Sequence, residues 1–528
     1  MNLFYKVKKI KRIIIFSFAI LCSPGVHGQV KSPTKPVFEV DASCYAWQVH
    51  DETITQILDN VTSMAGVNAI YLVALMHKEH RPFVADKFPL DPVRSGWDAE
   101  DSRIYWKPDL SLYGKIKPML SDTAWLRSID WLKLVIDSAH ARGLKAGAEI
   151  SHTPLPASIL KNHPEYQQRD INGALKGGIC PNNPDVIEYL LAIFSDIAKN
   201  YDVDWIQTCM YLFGTNTCYC DNCQKEAKSN GFDLSAAIPI LKANPNAQPQ
   251  LNNWISFRRN STTKVYRLIS ERIHHFKPGC DFRINDVRVM FENPVDSLYG
   301  LYFQDLRNII NSCVIQSHTE QDGKENETFL SRKSWIDLNQ SLLGPGFPLL
   351  SGVAVRLKAT PSLIKAGIKV AVDKGVSGIA IKHYDGSAYS QLRAVRDGLS
   401  EAGVPGFTPN VGIEAETMTL SGYTPDKIYG ETCIRTNTSG TARSTFNFAT
   451  GAYDIIVSYL DEKEGQTSLQ LIIGSKQIAS WKLIEDVGCW RRKTIRNVNI
   501  RKGDEIKITG TMNGKDPASV DFIEFIKL

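Results

Sequence analysis

Four acidic residues stand where short apolar runs of the sequence end, and these residue types carry out acid–base chemistry. They are Glu149, Asp286, Glu320 and Asp385. Hydrolysis of a glycosidic bond uses two carboxyl groups across that bond, one as acid and one as nucleophile or base. Because Asp286 and Glu320 follow consecutive runs, we predict that they face each other as the catalytic pair, with Glu320 as the acid/base. Glu149 is the rival for either role.

Histidine, arginine and aromatic side chains occur at the same points and are predicted to contact substrate. His152, His318 and His383 follow three of the runs, and Asp385 lies beside His383. Arg356 follows another run and could bind the carboxylate of an acidic sugar. Trp106 lies in the long segment 76–120, where aromatic residues are scattered among charges. That segment suits either a loop that stacks on substrate or a loop that packs on the barrel through its aromatics.

The same residues leave two other functions open. A polysaccharide lyase or deacetylase would use the histidines with an acid as a base or metal site, although no H-x-H or H-x-x-x-H pair stands at the expected positions. A barrel that only binds glycan, without catalysis, is the second alternative. Metal analysis after chelation and substitution of the predicted acids would separate these functions.

The elements that position these residues alternate between short apolar runs and amphipathic stretches. The runs are 37–44, 69–75, 144–150, 203–209, 280–286, 312–317, 348–355 and 377–383. Eight strands, each followed by a helix, predict an α/β fold of the (β/α)₈ type over residues 37–405, with the active site at the carboxyl ends of the strands. An open, doubly wound sheet is the alternative. The first run is not followed by G-x-G-x-x-G, so a dinucleotide is not expected.

A cysteine-rich hexapeptide, C-Y-C-D-N-C at 218–223, resembles a run in the family 42 β-galactosidases. There, a C-x-C-x-x-C run after the fourth strand binds structural zinc together with one upstream cysteine. The resemblance implies a Zn²⁺ site formed by Cys180, Cys218, Cys220 and Cys223. Four thiolates satisfy tetrahedral Zn²⁺ and leave no open position for catalysis. Disulfides are the alternative. That family's acid/base Glu has no counterpart here, because the fourth run ends in Thr208-Cys209.

Two further runs, ICPNNPDVIEYL at 179–190 and YDVDWIQ at 201–207, resemble uncharacterised glycoside-hydrolase-like barrels of polysaccharide-degrading bacteria. The resemblance implies a hydrolase acting on a complex polysaccharide or its oligosaccharides.

Residues 411–528 follow a Pro/Gly linker and alternate apolar with polar residues, which predicts a β-sandwich of the jelly-roll kind. IEAETM at 413–418 and SVDFIEFI at 519–526 resemble carbohydrate-binding modules of families 6 and 35. The resemblance implies a structural Ca²⁺ on Glu414, Glu416 and Asp521, and oxygen donors of this kind suit that ion. Sugar contacts are expected from Tyr423, Trp490 and Asn513.

The N-terminus carries the pattern of an export signal. A basic stretch, a short apolar run and small residues near 26–28 predict a signal peptide over 1–28, followed by a linker over 29–36. The 528 residues hold 61 Lys and Arg against 56 Asp and Glu, a balance unlike that of a nucleic-acid-binding protein. The sequence therefore predicts a secreted or periplasmic enzyme with a polysaccharide substrate, no nucleic-acid partner, no organic cofactor and no stable membrane insertion after cleavage.

Overall fold

Eight parallel strands form a closed barrel. β1–β8 are Glu39–Cys44, Ala69–Met76, Lys145–Ile150, Trp205–Thr208, Asp281–Asp286, Ser312–Ile315, Leu349–Ala354 and Gly378–Lys382. Each pairs with its successor in the chain, and β1 pairs with both β8 and β2, which closes the sheet. The eight predicted strands are confirmed, and the open doubly wound alternative is wrong because the first strand has a partner on both edges.

The structure is a computed structural model that describes residues 37–528 except for short gaps. The gaps are 83–88, 92, 95, 292–294, 318–319, 321–322, 324, 357 and 464. The predicted signal peptide, the linker 29–36 and His318 lie outside the described residues. Among the helices that are described, none is long and apolar enough to cross a membrane.

Helices cover the outside of the barrel. The helices α1–α14 are Ala46–Glu52, Ile54–Ala65, Ala124–Ser128, Trp131–His140, Ala157–Asn162, Pro184–Asn200, Asp221–Ser229, Leu234–Ala243, Gln250–Phe276, Asp296–Tyr299, Phe303–Leu306, Glu325–Leu343, Pro361–Asp373 and Tyr389–Glu401. In α6, the Asn183 side chain accepts hydrogen bonds from the amides of Asp185 and Val186, and Pro184 occupies the first turn. These are standard start signals, so the local sequence determines where α6 begins after β3.

The loops at the carboxyl ends of the barrel strands contain short additional strands. Glu79–Pro82 pairs with Gly96–Ala99, and Gln167–Arg169 pairs with Leu175–Ile179. Arg103–Ile104 and Met119–Leu120 extend the barrel sheet beyond β2. These pairings give the long excursions after β2 and β3 an ordered backbone.

The C-terminal part is a sandwich of two antiparallel sheets. Strands β9–β19 are Gly412–Glu414, Thr419–Ser421, Thr424–Ile428, Glu431–Thr436, Ser439–Thr445, Gly451–Asp461, Ser468–Ile473, Lys476–Lys482, Cys489–Ile500, Glu505–Thr511 and Ala518–Lys527. One sheet has the order β11-β12-β19-β14-β17 with β9 beside β19, and the other has the order β10-β13-β18-β15-β16. The predicted sandwich is confirmed.

Barrel and sandwich pack against each other and share buried residues. The apolar core around the barrel includes Cys433, Leu460 and Trp490 of the sandwich. A second core fills the space between the two sandwich sheets, and a third surrounds the cysteine cluster. Residues 38–528 accordingly form one compact unit.

Candidate active site

Alternation along the strands decides which side chains enter the barrel, because successive residues of a strand point to opposite sides. Glu149 on β3 pairs in register with Val73 on β2 and with Gln207 on β4. The buried amide of Gln207 donates a hydrogen bond of 2.6 Å to Glu149 Oε2. Glu149 therefore lies on the inner side of β3, one residue from the carboxyl end of the strand.

A charged layer closes the lower part of the barrel. Arg283 donates hydrogen bonds to Asp41 at 2.9 Å, to Glu39 at 2.7 Å and to Ser312 Oγ at 2.9 Å. Its guanidinium lies 4.7 Å from the ring centroid of Trp205. These contacts fill the barrel interior below Glu149 and hold β1, β5 and β6 together. Among the described residues, this layer blocks the barrel interior below Glu149, which leaves the carboxyl ends of the strands as the approach for a substrate.

Gly147 makes room for Trp205 inside the barrel. A Cβ atom at Gly147 would lie 2.2 Å from the Trp205 ring, which a real side chain cannot do. The indole of Trp205 thus fills the space that a side chain at position 147 of β3 would otherwise occupy. A glycine two residues before Glu149 is therefore required by the packing of the layer beneath the site.

A lysine and a phenol occupy the layer above the charged floor. Lys382 at the end of β8 donates a hydrogen bond of 2.5 Å to the Tyr71 hydroxyl, and both side chains are buried. Burial raises the pKa of Asp41 to about 7, although Arg283 and Lys382 oppose this shift. The barrel interior thus holds an ammonium group above a carboxyl group whose pKa is raised by burial.

Sulfur, amide and imidazole groups surround Glu149 at the mouth. Cys209 Sγ lies 3.7 Å from Glu149 Oε1, and the Asn285 amide nitrogen lies 3.9 Å from the same sulfur. Burial and the Glu149 charge raise the pKa of the Cys209 thiol, so it is neutral. Two imidazoles stand nearby: the rings of His77 and His152 are 4.8 Å apart between centroids. His152 is solvent-exposed.

Asp286 does not face the mouth, contrary to the prediction from sequence. It is the neighbour of the inward Asn285 and therefore points outward, to the helix layer. Its carboxylate is fully buried and accepts two hydrogen bonds of 2.9 Å from Arg288, with a third of 2.8 Å from Asn339 on α12. These partners saturate the carboxylate, which gives Asp286 a structural role in this geometry.

Glu320 is also held in the helix layer rather than at the mouth. Its buried carboxylate forms an ion pair with Arg332 of α12, and the same guanidinium donates to the carbonyl oxygens of Ser317 and Gly352. Gly367 on α13 packs close to both side chains. The prediction that Asp286 and Glu320 face each other is wrong, because Asp286 on β5 pairs with Arg288 and Glu320, beyond the end of β6, pairs separately with Arg332 of α12.

The remaining predicted residues at strand ends lie around β7 and β8. His383 follows β8 in a left-handed backbone conformation, with φ of 68°, and its Nδ1 is 4.0 Å from Asp385 Oδ1. The Asp385 side chain is buried, and Arg356 after β7 is partly exposed. A non-glycine residue in this conformation is a strained position of the kind found at functional sites.

The three aromatic residues predicted to contact sugar are buried, whereas the predicted polar contact is not. Trp106 is 2% exposed and donates through its indole nitrogen to Asp196 on α6, so its loop packs on the barrel. Trp490 is fully buried between sandwich and barrel, and Tyr423 is 5% exposed in the sandwich core. None of the three presents a face to a sugar, and their prediction is corrected. Asn513 is exposed.

The four cysteines implied as zinc ligands do converge. The sulfur of Cys180 lies 3.4 Å from that of Cys220 and 3.6 Å from that of Cys223, and all four sulfurs lie within 4.8 Å of one another. A disulfide needs about 2.05 Å, whereas tetrahedral sulfurs at about 2.3 Å from Zn²⁺ are separated by nearly 4 Å. The amide of Asn182 donates to Cys223 Sγ at 3.4 Å. This donor set fits Zn²⁺.

Two of the three residues implied as calcium ligands, Glu414 and Asp521, are paired with an arginine of the barrel. Arg393 on α14 lies 3.2 Å from Glu414 and 3.3 Å from Asp521, and its guanidinium covers the Phe522 ring at 3.9 Å. Burial, followed by the charges of Asp521 and Glu416, raises the pKa of Glu414 to about 7, although Arg393 opposes this shift. A cation already fills this pocket, so the donor set does not fit Ca²⁺.

Sequence reasoning missed Gln207, Asn285, Lys382 and Tyr71, which line the barrel interior with Glu149. All four lie on predicted strands. The pattern that could have indicated them is the alternation of inward and outward positions along each strand. Which of two successive residues points inward depends on the register with the neighbouring strands, and the sequence alone does not give that register.

Comparison with known proteins supports a glycoside hydrolase at the general level. Residues 117–333, which include β3–β6, match the sequence profile of a family described as Glycosyl hydrolase-like 10. The chain is 34% identical to Alpha-glucuronidase A of Aspergillus tubingensis over 148 residues, which are 23% of this chain and 18% of that protein. It is 31% identical to Alpha-glucuronidase of Hypocrea jecorina over 132 residues, which are 22% of this chain and 16% of that protein.

Each of these matches therefore covers less than a fifth of the curated relative. Among solved structures, the PgaB (BpsB) glycoside hydrolase domain from Bordetella bronchiseptica aligns with a TM-score of 0.48 and 13% identity. The alignment covers 70% of this chain and 99% of that domain.

Proposed function

We propose that the chain is an exported glycan-active enzyme that hydrolyses glycosidic bonds at Glu149. The observation that carries the proposal is the placement of Glu149: of the four predicted acids, it is the one whose carboxylate lies on the inner side of a strand at the barrel mouth. The Gln207 hydrogen bond of 2.6 Å fixes its orientation. The match to a glycosyl-hydrolase-like family and the general likeness to glucuronidases support a carbohydrate substrate.

The hydrolytic mechanism needs a second carboxyl group across the bond. We assign this role to Asp385, because it lies in the short turn that directly follows β8, at the carboxyl ends of the barrel strands. Its neighbour His383 lies 4.0 Å away and is placed to orient it. Arg356 provides a cation for an acidic sugar, which agrees with glucuronate-bearing polysaccharides as the substrate class.

The test measures release of reducing ends from glucuronoxylan and from neutral xylan. Glu149→Gln keeps the hydrogen-bonding shape and removes the charge, so we expect turnover to fall at least about 100-fold. Asp385→Asn is expected to reduce turnover similarly. The control is Glu188→Gln, an exposed acid on α6. Glu149→Gln with wild-type turnover would reject the assignment.

Lysis by β-elimination is the second candidate, because the His77–His152 ring pair at the mouth offers a base on the same side of the barrel as Glu149. The product separates the two reactions. Elimination leaves an unsaturated uronate with new ultraviolet absorbance, whereas hydrolysis releases reducing ends without it. An unsaturated product that requires His152 and not Asp385 would favour the lyase.

A further inference from the structure

A cavity of about 480 Å³ lies over the cysteine cluster, away from Glu149. Four segments form its walls: the hairpin 167–179, the loop after β4, the end of α8 and the start of α9. Its volume lies within the range of about 300–1,000 Å³ that is usual for ligand pockets. Because the hairpin follows β3 and the loop follows β4, the cavity opens on the same side of the barrel as the candidate active site.

The floor of the cavity is aromatic and apolar. Tyr219 stacks on Trp254 with ring centroids 5.3 Å apart and an angle of 10° between the rings. Arg258 also packs on Trp254, with its guanidinium 4.3 Å from the ring centroid. Tyr219 is 9% exposed and Trp254 is 5% exposed, so the platform of the cavity is the small exposed part of Tyr219 together with Leu241 and Leu251 beside it.

The position of the platform is fixed by the structure beneath it. Tyr219 lies between two cysteines of the cluster, so the convergence of their sulfurs sets the direction of the ring. Arg258 also donates to the carbonyl of Gly214 at 2.9 Å, and the Gln168 side chain accepts from the Gly214 amide at 2.7 Å. The loop that carries the platform is therefore preorganised.

The rim of the cavity is polar. Asp170 and Lys176 form an ion pair of 3.2 Å on one side, and Thr215 and Asn216 are exposed on the other. An apolar floor surrounded by hydroxyl, amide and charged groups matches a pyranose, which has an apolar C–H face and hydroxyl groups at its edge.

We infer that this cavity is a second glycan-binding site, which holds a segment of polysaccharide whose other part lies at the barrel mouth. The inference rests on the proposed function for its ligand class, but it does not depend on Glu149 as the catalytic group. Holding the chain at two points raises the local concentration of scissile bonds at the mouth.

The experiment measures retardation in native gels that contain glucuronoxylan, alginate or mixed-linkage glucan. All variants carry Glu149→Gln so that the polysaccharide is not degraded. Thr215→Trp fills the cavity from its exposed rim, and Ser256→Trp adds the same side chain to an exposed position of α9. We expect Thr215→Trp to weaken binding of at least one polysaccharide about tenfold or more, and Ser256→Trp to bind like the parent.

A second pair of variants tests the platform itself. Tyr219→Phe keeps the ring and is expected to bind like the parent, whereas Tyr219→Leu is expected to lose binding. Thermal unfolding of each variant identifies loss of the fold. Equal retardation of Thr215→Trp and Ser256→Trp, or no retardation of the parent by any of the three polysaccharides, would overturn the inference. Failure of the proposed function would be seen in a different measurement, the reducing-end assay, as turnover that is retained in Glu149→Gln.

Discussion

Glu52 shows how one buried acid can make the stability of the whole chain depend on pH. It lies at the end of α1 with 3% exposure and accepts hydrogen bonds from the Gln48 amide at 3.2 Å and the Tyr384 hydroxyl at 3.0 Å. Burial, followed by the charge of Asp91, raises its pKa from 4.5 to about 8. The folded chain therefore keeps a proton on Glu52 at neutral pH that the unfolded chain has released.

The sign of the pH effect follows from this difference. Between about pH 4.5 and 8 the folded state binds more protons at Glu52, so this residue's contribution to the free energy of unfolding falls as pH rises. Glu52→Gln mimics the protonated acid and removes that dependence. We expect the variant to exceed the wild type by on the order of a few kcal/mol near pH 9 and by little near pH 5, measured by urea unfolding. Glu188→Gln is the control, and equal pH slopes for Glu52→Gln and wild type would contradict the prediction.

Single residues also show which members of the candidate site can be predicted from the sequence. The acids at strand ends are recognisable because they follow apolar runs, and Glu149 is among them. The choice of Asp286 fails because a shift of one residue along a strand moves a side chain from the barrel interior to the helix layer. The prediction of Glu320 as a catalytic acid fails for another reason. Its ion-pair partner Arg332 lies on the following helix, and the sequence around Glu320 does not indicate that pairing.

At the scale of elements, the loop after β4 and the loop before α6 are joined by the cysteine cluster. The hydrophobic core around the cluster is small, so we expect bound Zn²⁺ to supply much of the stability of this region. Elemental analysis of the purified chain should find about one zinc per molecule. Removal with a strong chelator should lower the unfolding temperature, and added Zn²⁺ should restore it.

The zinc prediction has a matched control. Cys223→Ser removes one ligand of the cluster, whereas Cys280→Ser changes a buried cysteine outside it. We expect zinc to be lost from the first variant and kept by the second. A stoichiometric zinc content in Cys223→Ser, or its absence from the wild type, would show that the cluster is not the metal site.

Helix α14 joins the barrel to the sandwich through Arg393, in the pocket where the sequence resemblance implies calcium. Removing one member of a buried ion-paired group costs about 3–5 kcal/mol, so we expect Arg393→Met to be strongly destabilised. Calcium or a calcium chelator should leave wild-type unfolding unchanged, because the guanidinium already neutralises Glu414 and Asp521. The exposed pair of Lys365 with Glu401 gives the control, Lys365→Met, with little expected effect. A wild-type unfolding temperature that rises with calcium would contradict this account.

The barrel strands are the most predictable part of the fold. Most are buried, largely apolar runs of the length that parallel sheets need, and β5 alternates polar with apolar residues, so the amino-acid pattern alone predicts β1–β8. The excursions between the strands are harder to predict. The hairpin at 167–179 is exposed over 172–177 and buried at its start, and its pairing depends on contacts with distant loops rather than on alternation within the segment.

For the whole molecule, the contact between barrel and sandwich determines whether the two parts move independently. The backbone amide of Trp490 donates to the Pro89 carbonyl at 3.2 Å, and the Tyr389 hydroxyl donates to the Trp490 carbonyl at 3.4 Å. Arg492 reaches Ser63 on α2 at 2.8 Å. A sandwich attached in this way does not move freely on a linker. Any glycan that it binds is presented at a fixed position relative to the barrel.

Fixed attachment predicts cooperative unfolding of the two parts. Calorimetry of the full chain should show one transition, because separating the sandwich would expose Trp490 and the α14 surface to water. Trp490→Ala removes the largest shared side chain and should cost about 3–5 kcal/mol, and it should split the transition into two as the parts lose their coupling. Trp481→Ala lies in the sandwich core, so it should destabilise the sandwich and leave the coupling intact. Two separate transitions in the wild type would mean that the sandwich is an independent module, and that its glycans are brought to the barrel by tethering alone.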